Sequence, residues 1–374
     1  MNDPEKQKEE IKELLLNNHN IILHGAPGTG KTYLAKQIAK DLIFTKEEHD
    51  LVDRKESEIA DTDREKYENL KEQFDKRCGF VQFHQSYDYT DFVEGLRPIK
   101  KGTEIGFELR PGVFKDFCKD ALEKMNEAVT VSIAGESREI KKPFIFIIDE
   151  INRGEMSKIF GELFYSIDPG YRVENEDFET GKKPFTIRTQ YSNLQDKPNE
   201  FDKKLFNINE SVESPEYKEK IEKYKDDFGH FFVPENVYII GTMNDIDRSV
   251  ESMDFAMRRR FAFEEISAED RVKMLFDEDN GLGNNAEEAK NRMEKLNKDI
   301  KKIDGLSSAY HIGPAYFLKL KNYKGNFDLL WEYHIEGVVK EYLRGMDNAE
   351  ESLKNLAKAY GYSNIEKYDD GGLH

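Results

Sequence analysis

The sequence has only two cysteines in 374 residues, Cys78 and Cys118. They are too few for a disulfide framework and too far apart in sequence for a metal-ligand spacing, so a reducing cytoplasm is the expected compartment. The chain has no apolar run of bilayer-spanning length, and its first residues, Asp3 to Glu10, are charged where a signal peptide would be apolar. A membrane partner is therefore not expected. Positive charge is in deficit: 57 Lys and Arg stand against 75 Asp and Glu, for a formal net charge of -18. A bare nucleic-acid-binding surface needs a clustered positive field, so DNA contact, if it occurs, is expected to run indirectly through partners. Internal repeats and low-complexity tracts are absent.

Short apolar runs rich in β-branched and aromatic residues read as buried strands at Ile21 to Leu23, Phe80 to Phe83, Phe144 to Ile148, Val237 to Ile240 and Phe261 to Phe263. Helical stretches between them, notably Lys31 to Ile43 and Val113 to Met125, predict an α/β fold with a five-stranded parallel sheet flanked by helices. From Ser267 the pattern turns helical, with segments expected at Glu269 to Phe276, Ala286 to Ile303 and Leu329 to Leu343. This divides the chain into a nucleotide-binding α/β domain over 1–266 and a C-terminal helical lid domain over 267–374. Charged stretches near 44–77 and 193–230 read as insertions, as a solvated helix pair or as loops.

The strongest motif follows the first strand. Gly25-Ala26-Pro27-Gly28-Thr29-Gly30-Lys31-Thr32, with Tyr33 after it, fits G-x-x-x-x-G-K-[ST] between a strand and a helix. Glycines let backbone N–H groups curl around a phosphate, and the helix presents its positive end to the same charge. Lys31 is placed for the β- and γ-phosphates, and the Thr32 hydroxyl for Mg²⁺. A second signal is the apolar run 144–148 ending in Asp149-Glu150, which sets two carboxylates at a strand's C-terminal edge. Asp149 is expected in the Mg²⁺ shell and Glu150 as the base that polarises attacking water. A third run, 237–240, leads to Asn244, whose amide can donate to a γ-phosphate oxygen and accept from water. Arg258, Arg259 and Arg260 admit two readings: a solvated basic patch, or an arginine finger completing a neighbouring subunit's site.

Taken together, GAPGTGKT, FVQFHQSYDYTDFVEGLRP at Phe80 to Pro98, FIIDEINRGEMSKIFGELF at Phe146 to Phe164, GTMNDIDRS and DFAMRRRF resemble the McrB family of AAA+ GTPases across residues 20 to 265. The most specific element is Met243-Asn244-x-x-Asp247-Arg248. The resemblance implies a hexameric ring that hydrolyses GTP, is stimulated by an McrC-like nuclease subunit and translocates DNA. By motif it places Asp247 and Arg248 in the hydrolytic site or its subunit contact, Arg259 and its neighbours in trans, and Asn152 and Arg153 as interface or sensing residues, with surface salt bridging as the alternative for that pair. Two departures stand out. The phosphate loop begins at Gly25, so the DNA-reading domain common in such subunits is not expected before it and target recognition is expected to lie elsewhere, and Gly313-Pro314 carries no obvious sensor arginine. GTP rests on the resemblance alone, so ATP stays open. A protein-remodelling ATPase and a nucleotide-dependent assembly switch are the competing functions.

Overall fold

Strands that are covered on both faces must be apolar at successive positions, and five such runs form one parallel sheet. The computed structural model describes residues 4–102, 104–180, 182–246, 255–278 and 281–368. The sheet consists of β1 (Asn20–Gly25), β2 (Cys78–Gln82), β3 (Phe144–Asp149), β4 (Val237–Asn244) and β5 (Ala262–Glu265), in the order β5-β1-β4-β3-β2. On one face Ile22, Phe146, Ile148 and Ile239 pack against Phe92, Phe114 and Phe160. On the other, Ile21, Leu23, Ile145, Ile147 and Ile240 meet Ile11 and Leu15 of α1 (Pro4–Asn18) and Leu34 and Ile38 of α2 (Lys31–Ile43). Each side chain so buried contributes about 1.5–3 kcal/mol, which makes this the best-anchored part of the chain.

The parallel register aligns three strand ends. Asn244 of β4 lies opposite Gly25 of β1, and Ile148 of β3 opposite Gly241 of β4. The loop after β1, the carboxylates after Ile148 and the Asn244 amide therefore share one edge of the sheet, where open α/β sheets hold their ligands.

A third buried cluster, separate from the sheet, runs from Val272 to Tyr362 around Trp331, Leu296, Val339 and Tyr360. Two expectations for this region need correction. Residues 269–276 do not form an α-helix; a 3₁₀ turn spans Val272–Phe276, because the chain reverses so that Leu282 N–H bonds the Leu275 carbonyl and both side chains enter the cluster. Residues 329–343 are helical but broken by a π turn at Trp331–Ile335, which keeps Trp331, Ile335 and Val339 on the buried side. Two antiparallel hairpins, Glu94–Lys101 with Glu104–Pro111 and Ala128–Ile133 with Glu136–Lys141, were not anticipated. The first carries an exposed apolar face with Leu96, Ile105 and Phe107.

The first charged insertion is a helix pair, α3 (Lys46–Asp53) and α4 (Arg64–Arg77), and the second contains helices at Glu200–Leu205 and Pro215–Tyr224. A capping box joins Thr45 and Glu48 at the start of α3. His49 ties α3 to α2 through Asp41 Oδ1 at 2.6 Å and Gln37 Oε1 at 2.7 Å, and within α3 it lies 3.2 Å from Asp53 Oδ2. Burial opposes the charged imidazole, but the hydrogen bonds to Asp41 and Asp53 prevail and push its pKa up to about 9. A raised folded-state pKa stabilises fully below the unfolded value of about 6.5 and is lost as pH climbs through about 9. Thermal stability of the wild type is thus expected to fall between pH 6.5 and 9, and His49→Gln to flatten that slope. Parallel slopes in the two proteins would refute the assignment.

Candidate functional site

The loop after β1 is built around Lys31. Its ammonium is 6% exposed and donates to the Ala26 carbonyl at 2.8 Å, the Gly25 carbonyl at 3.2 Å and Asn244 Oδ1 at 2.9 Å. Thr29, fully buried, braces the loop by donating to the Ala26 carbonyl at 3.1 Å. Gly30 caps α2 in the left-handed region at φ 77°, which favours glycine because an L side chain there meets its own carbonyl. Tyr33, in the first turn of α2, is 53% exposed.

Asp149 and Glu150 diverge at the end of β3. Asp149 Oδ1 accepts from Thr32 Oγ1 at 2.6 Å and from Thr242 Oγ1 at 2.6 Å. Glu150 adopts φ 51°, a left-handed conformation that costs a non-glycine residue about 1 kcal/mol or more and turns its carboxylate away from that of Asp149. Its Oε1 accepts from Asn244 Nδ2 at 2.9 Å, and Oε2 lies 3.3 Å from Arg153 Nε. A continuous chain results, Lys31 to Asn244 to Glu150 to Arg153. Asn152 joins it through the Asn244 carbonyl at 3.4 Å. Lys31, Asp149, Glu150, Thr242 and Asn244 line a cleft of about 260 Å³ with Gly28, Gly30, Thr32, Tyr33, Met243 and Ala315, and Asn152 and Arg153 lie outside its lining.

A divalent cation fits this donor set. Hard cations take oxygen ligands, and the Thr32 hydroxyl and Asp149 carboxylate are such donors already in contact. Among the described residues no cluster of three or more His, Cys, Asp or Glu side chains is arranged to hold a metal, so the remaining ligands would have to come from water and phosphate.

Of the sequence-predicted residues, the structure brings together Gly25 to Tyr33, Asp149, Glu150 and Asn244. Asp247 and Arg248 lie outside the described residues. The three arginines separate in kind. Arg260 is 4% exposed, donates to the Ala256 carbonyl and stacks on Phe164 and Tyr165. Arg258 and Arg259 are exposed, Arg258 lying 4.9 Å over the Phe263 ring. Neither reading of the triplet holds for all three: Arg260 is internal, and only its neighbours can reach another molecule. His311 is 6% exposed and pairs with Glu269 Oε1 at 3.2 Å, a packed residue outside the cleft.

Sequence reasoning missed Thr242 and the lid backbone. Thr242 was detectable, since strand alternation puts it on the side of Asn244, two residues on. The lid reaches the loop through main chain: Gly313 N–H donates to the Pro27 carbonyl at 3.0 Å and Ala315 N–H to the Gly28 carbonyl at 2.9 Å. A Cβ on Gly313 would overlap the Gly28 backbone. Gly313→Val should therefore push lid and loop apart, at about 1–3 kcal/mol for an overpacked contact. The expected readouts are a lower Tm followed through Trp331, the single tryptophan, and weaker nucleotide binding; an unchanged Tm would show that the contact is dispensable.

Comparison with known proteins agrees with this geometry. Residues 65–261 match the family described as AAA domain (dynein-related subfamily), residues 21–83 the ATPase family associated with various cellular activities, and residues 288–350 the McrB α-helical lid domain. The EcoKMcrB subunit of a type IV methyl-directed restriction enzyme from Escherichia coli K12 is 30% identical over 318 residues, 84% of this chain and 50% of that one. The YdiS component of the type II restriction enzyme BsuMI from Bacillus subtilis 168 is 23% identical over 265 residues, 67% of this chain and 57% of that one. The chain thus spans about half the length of the curated relatives it matches. Among the described residues no helix is long and apolar enough to cross a membrane. With its five-stranded sheet, phosphate loop and lid, the chain belongs to the AAA+ nucleoside triphosphatase family and, within it, to the McrB-like proteins related to restriction-system subunits.

Proposed function

We propose that this chain hydrolyses a nucleoside triphosphate as the motor subunit of a restriction complex, assembled as a ring and working with an McrC-like nuclease subunit. The observation that carries the reading is the hydrogen-bonded chain from Lys31 through Asn244 to Glu150 at the aligned ends of β1, β4 and β3. The loop amides and Lys31 bind the phosphates, and Asn244 orients a water between the γ-phosphate and Glu150. Glu150 takes the proton as the water oxygen bonds to phosphorus and the bond to the β-phosphate oxygen breaks. A Mg²⁺ ion held by Thr32 and Asp149 would neutralise charge on the β- and γ-phosphates. Exposed Arg258 or Arg259 completes a neighbour's site, and residues 1–266 and 267–374 act as nucleotide-binding and lid domains.

A net charge of -18 and the apolar face of the 94–111 hairpin favour a second reading, in which the motor acts on protein partners and meets DNA only through them. Steady-state phosphate release with GTP or ATP, with Mg²⁺ or EDTA, across protein concentration tests both. Mg²⁺-dependent turnover that rises faster than linearly with protein supports sites shared between subunits. Turnover stimulated by DNA in a salt-sensitive way sides with the restriction motor, and binding without turnover in any condition would reduce the chain to a nucleotide switch.

A further inference from the structure

One buried hydroxyl touches both residues of the carboxylate pair. Gly241 of β4 pairs with Ile148 of β3, so the next step along the two parallel strands brings Thr242 beside Asp149. Thr242 is 2% exposed. Its Oγ1 donates to Asp149 Oδ1 at 2.6 Å and accepts from the Glu150 N–H at 3.4 Å. A hydroxyl has one proton and two lone pairs, so one threonine can serve both contacts at once.

Each contact does something different. Asp149 Oδ1 also accepts from Thr32 Oγ1 at 2.6 Å, so one hydroxyl ties this carboxylate to the phosphate loop and the other ties it to the sheet. The Thr32 oxygen has a second task when a cation is bound, since it must then offer a lone pair to the metal while its proton stays on Asp149. Thr242, held within β4, has no such task and fixes the carboxylate with or without a cation. Glu150 sits at φ 51°, a conformation that a non-glycine residue keeps only where its surroundings impose it. The bond from its N–H to Thr242 is one such constraint, and it acts on the residue whose Oε1 meets Asn244.

We propose that Thr242 is a positioning residue for hydrolysis, a single hydroxyl that holds Asp149 for the cation and Glu150 for the attacking water. The inference rests on the hydrolytic reading above and adds to it a residue that acts through the two carboxylates. Thr242→Val keeps a β-branched side chain that suits a strand, but leaves Asp149 Oδ1 with one donor fewer and the Glu150 N–H without its acceptor. Thr242→Ser keeps the hydroxyl.

The test has two readouts on the full chain. The first is equilibrium binding of mant-GTP and mant-ATP in EDTA and in saturating Mg²⁺, which gives the gain in affinity that Mg²⁺ brings. Thr242→Val should bind as wild type does in EDTA and lose about tenfold of that gain, the worth of one hydrogen bond to a charged group. The second is phosphate release at saturating nucleotide and Mg²⁺, where kcat should fall by about 10²-fold with KM little changed, as a displaced catalytic group predicts. Thr242→Ser should restore both. A purely structural role would lower Tm and EDTA binding together and leave the Mg²⁺ gain alone, and that pattern overturns the proposal, as does a Thr242→Val protein with wild-type gain and rate. If Thr242→Val does not fold, Thr242→Cys, similar in size and a far weaker hydrogen-bonding group, should show the same two losses. If wild type binds but releases no phosphate, the hydrolytic reading fails while the Mg²⁺ gain still judges Thr242; if wild type binds neither nucleotide, both fail.

Discussion

Glu150→Gln is expected to slow phosphate release by about 10²- to 10⁴-fold, the range over which a positioned general base contributes. Nucleotide affinity should change little. The substitution preserves volume and leaves an oxygen to accept from Asn244 Nδ2, now 2.9 Å from Glu150 Oε1, but it removes the group that takes the water's proton. It also removes the charge facing Arg153. Single-turnover phosphate release beside equilibrium binding separates the two effects. A variant that binds normally and turns over at the wild-type rate in the assembled state would show that Glu150 is not the base. A variant that loses binding would mean that Glu150 shapes the site instead.

Lys31→Ala is expected to weaken triphosphate binding by about 10- to 100-fold, the loss of one charge-assisted contact to phosphate. Stability should fall as well, by about 1–3 kcal/mol, because the Gly25 and Ala26 carbonyls and Asn244 Oδ1 lose a common donor. Binding loss and a lower Tm are therefore predicted together, the first read by fluorescent nucleotide titration and the second by melting without nucleotide. Retained affinity would remove Lys31 from the phosphate site. Retained Tm with lost affinity would show that the loop carbonyls find water once the ammonium is gone.

The readable parts of this chain were those where chemistry fixes both residue type and context. The phosphate loop needs glycines, a lysine and a hydroxyl between a strand and a helix, and the sheet needs unbroken apolar runs because both its faces are covered. The strand ends therefore gathered as expected around Lys31, Asp149, Glu150 and Asn244. The hairpins were not legible. In the first, Pro98 and a run of charges, Arg97, Lys100, Glu104, Glu108 and Arg110, hide the alternation that marks a strand. In the second, the turn is Ala134-Gly135, both at positive φ, without the Asn-Gly or Asp-Gly dipeptide that usually announces it. The turn at Val272–Phe276 was misread because Val272, Leu275 and Phe276 follow helical spacing, and the reversal that breaks it depends on Leu282 further along the chain. Contacts made by main chain, such as those at Gly313 and Ala315, leave almost no trace in residue type.

Those two main-chain bonds have a mechanical consequence. The Pro27 and Gly28 carbonyls that accept them belong to the same arc of loop, Gly25 to Thr32, of which Gly28, Gly30, Lys31 and Thr32 line the cleft. Any tilt of the lid must stretch both bonds or drag the arc, and any tightening of the arc around an anion must tug on the lid. The arc thus works as a strain gauge: torque arriving from outside the cleft is converted into a change of curvature where the anion is gripped.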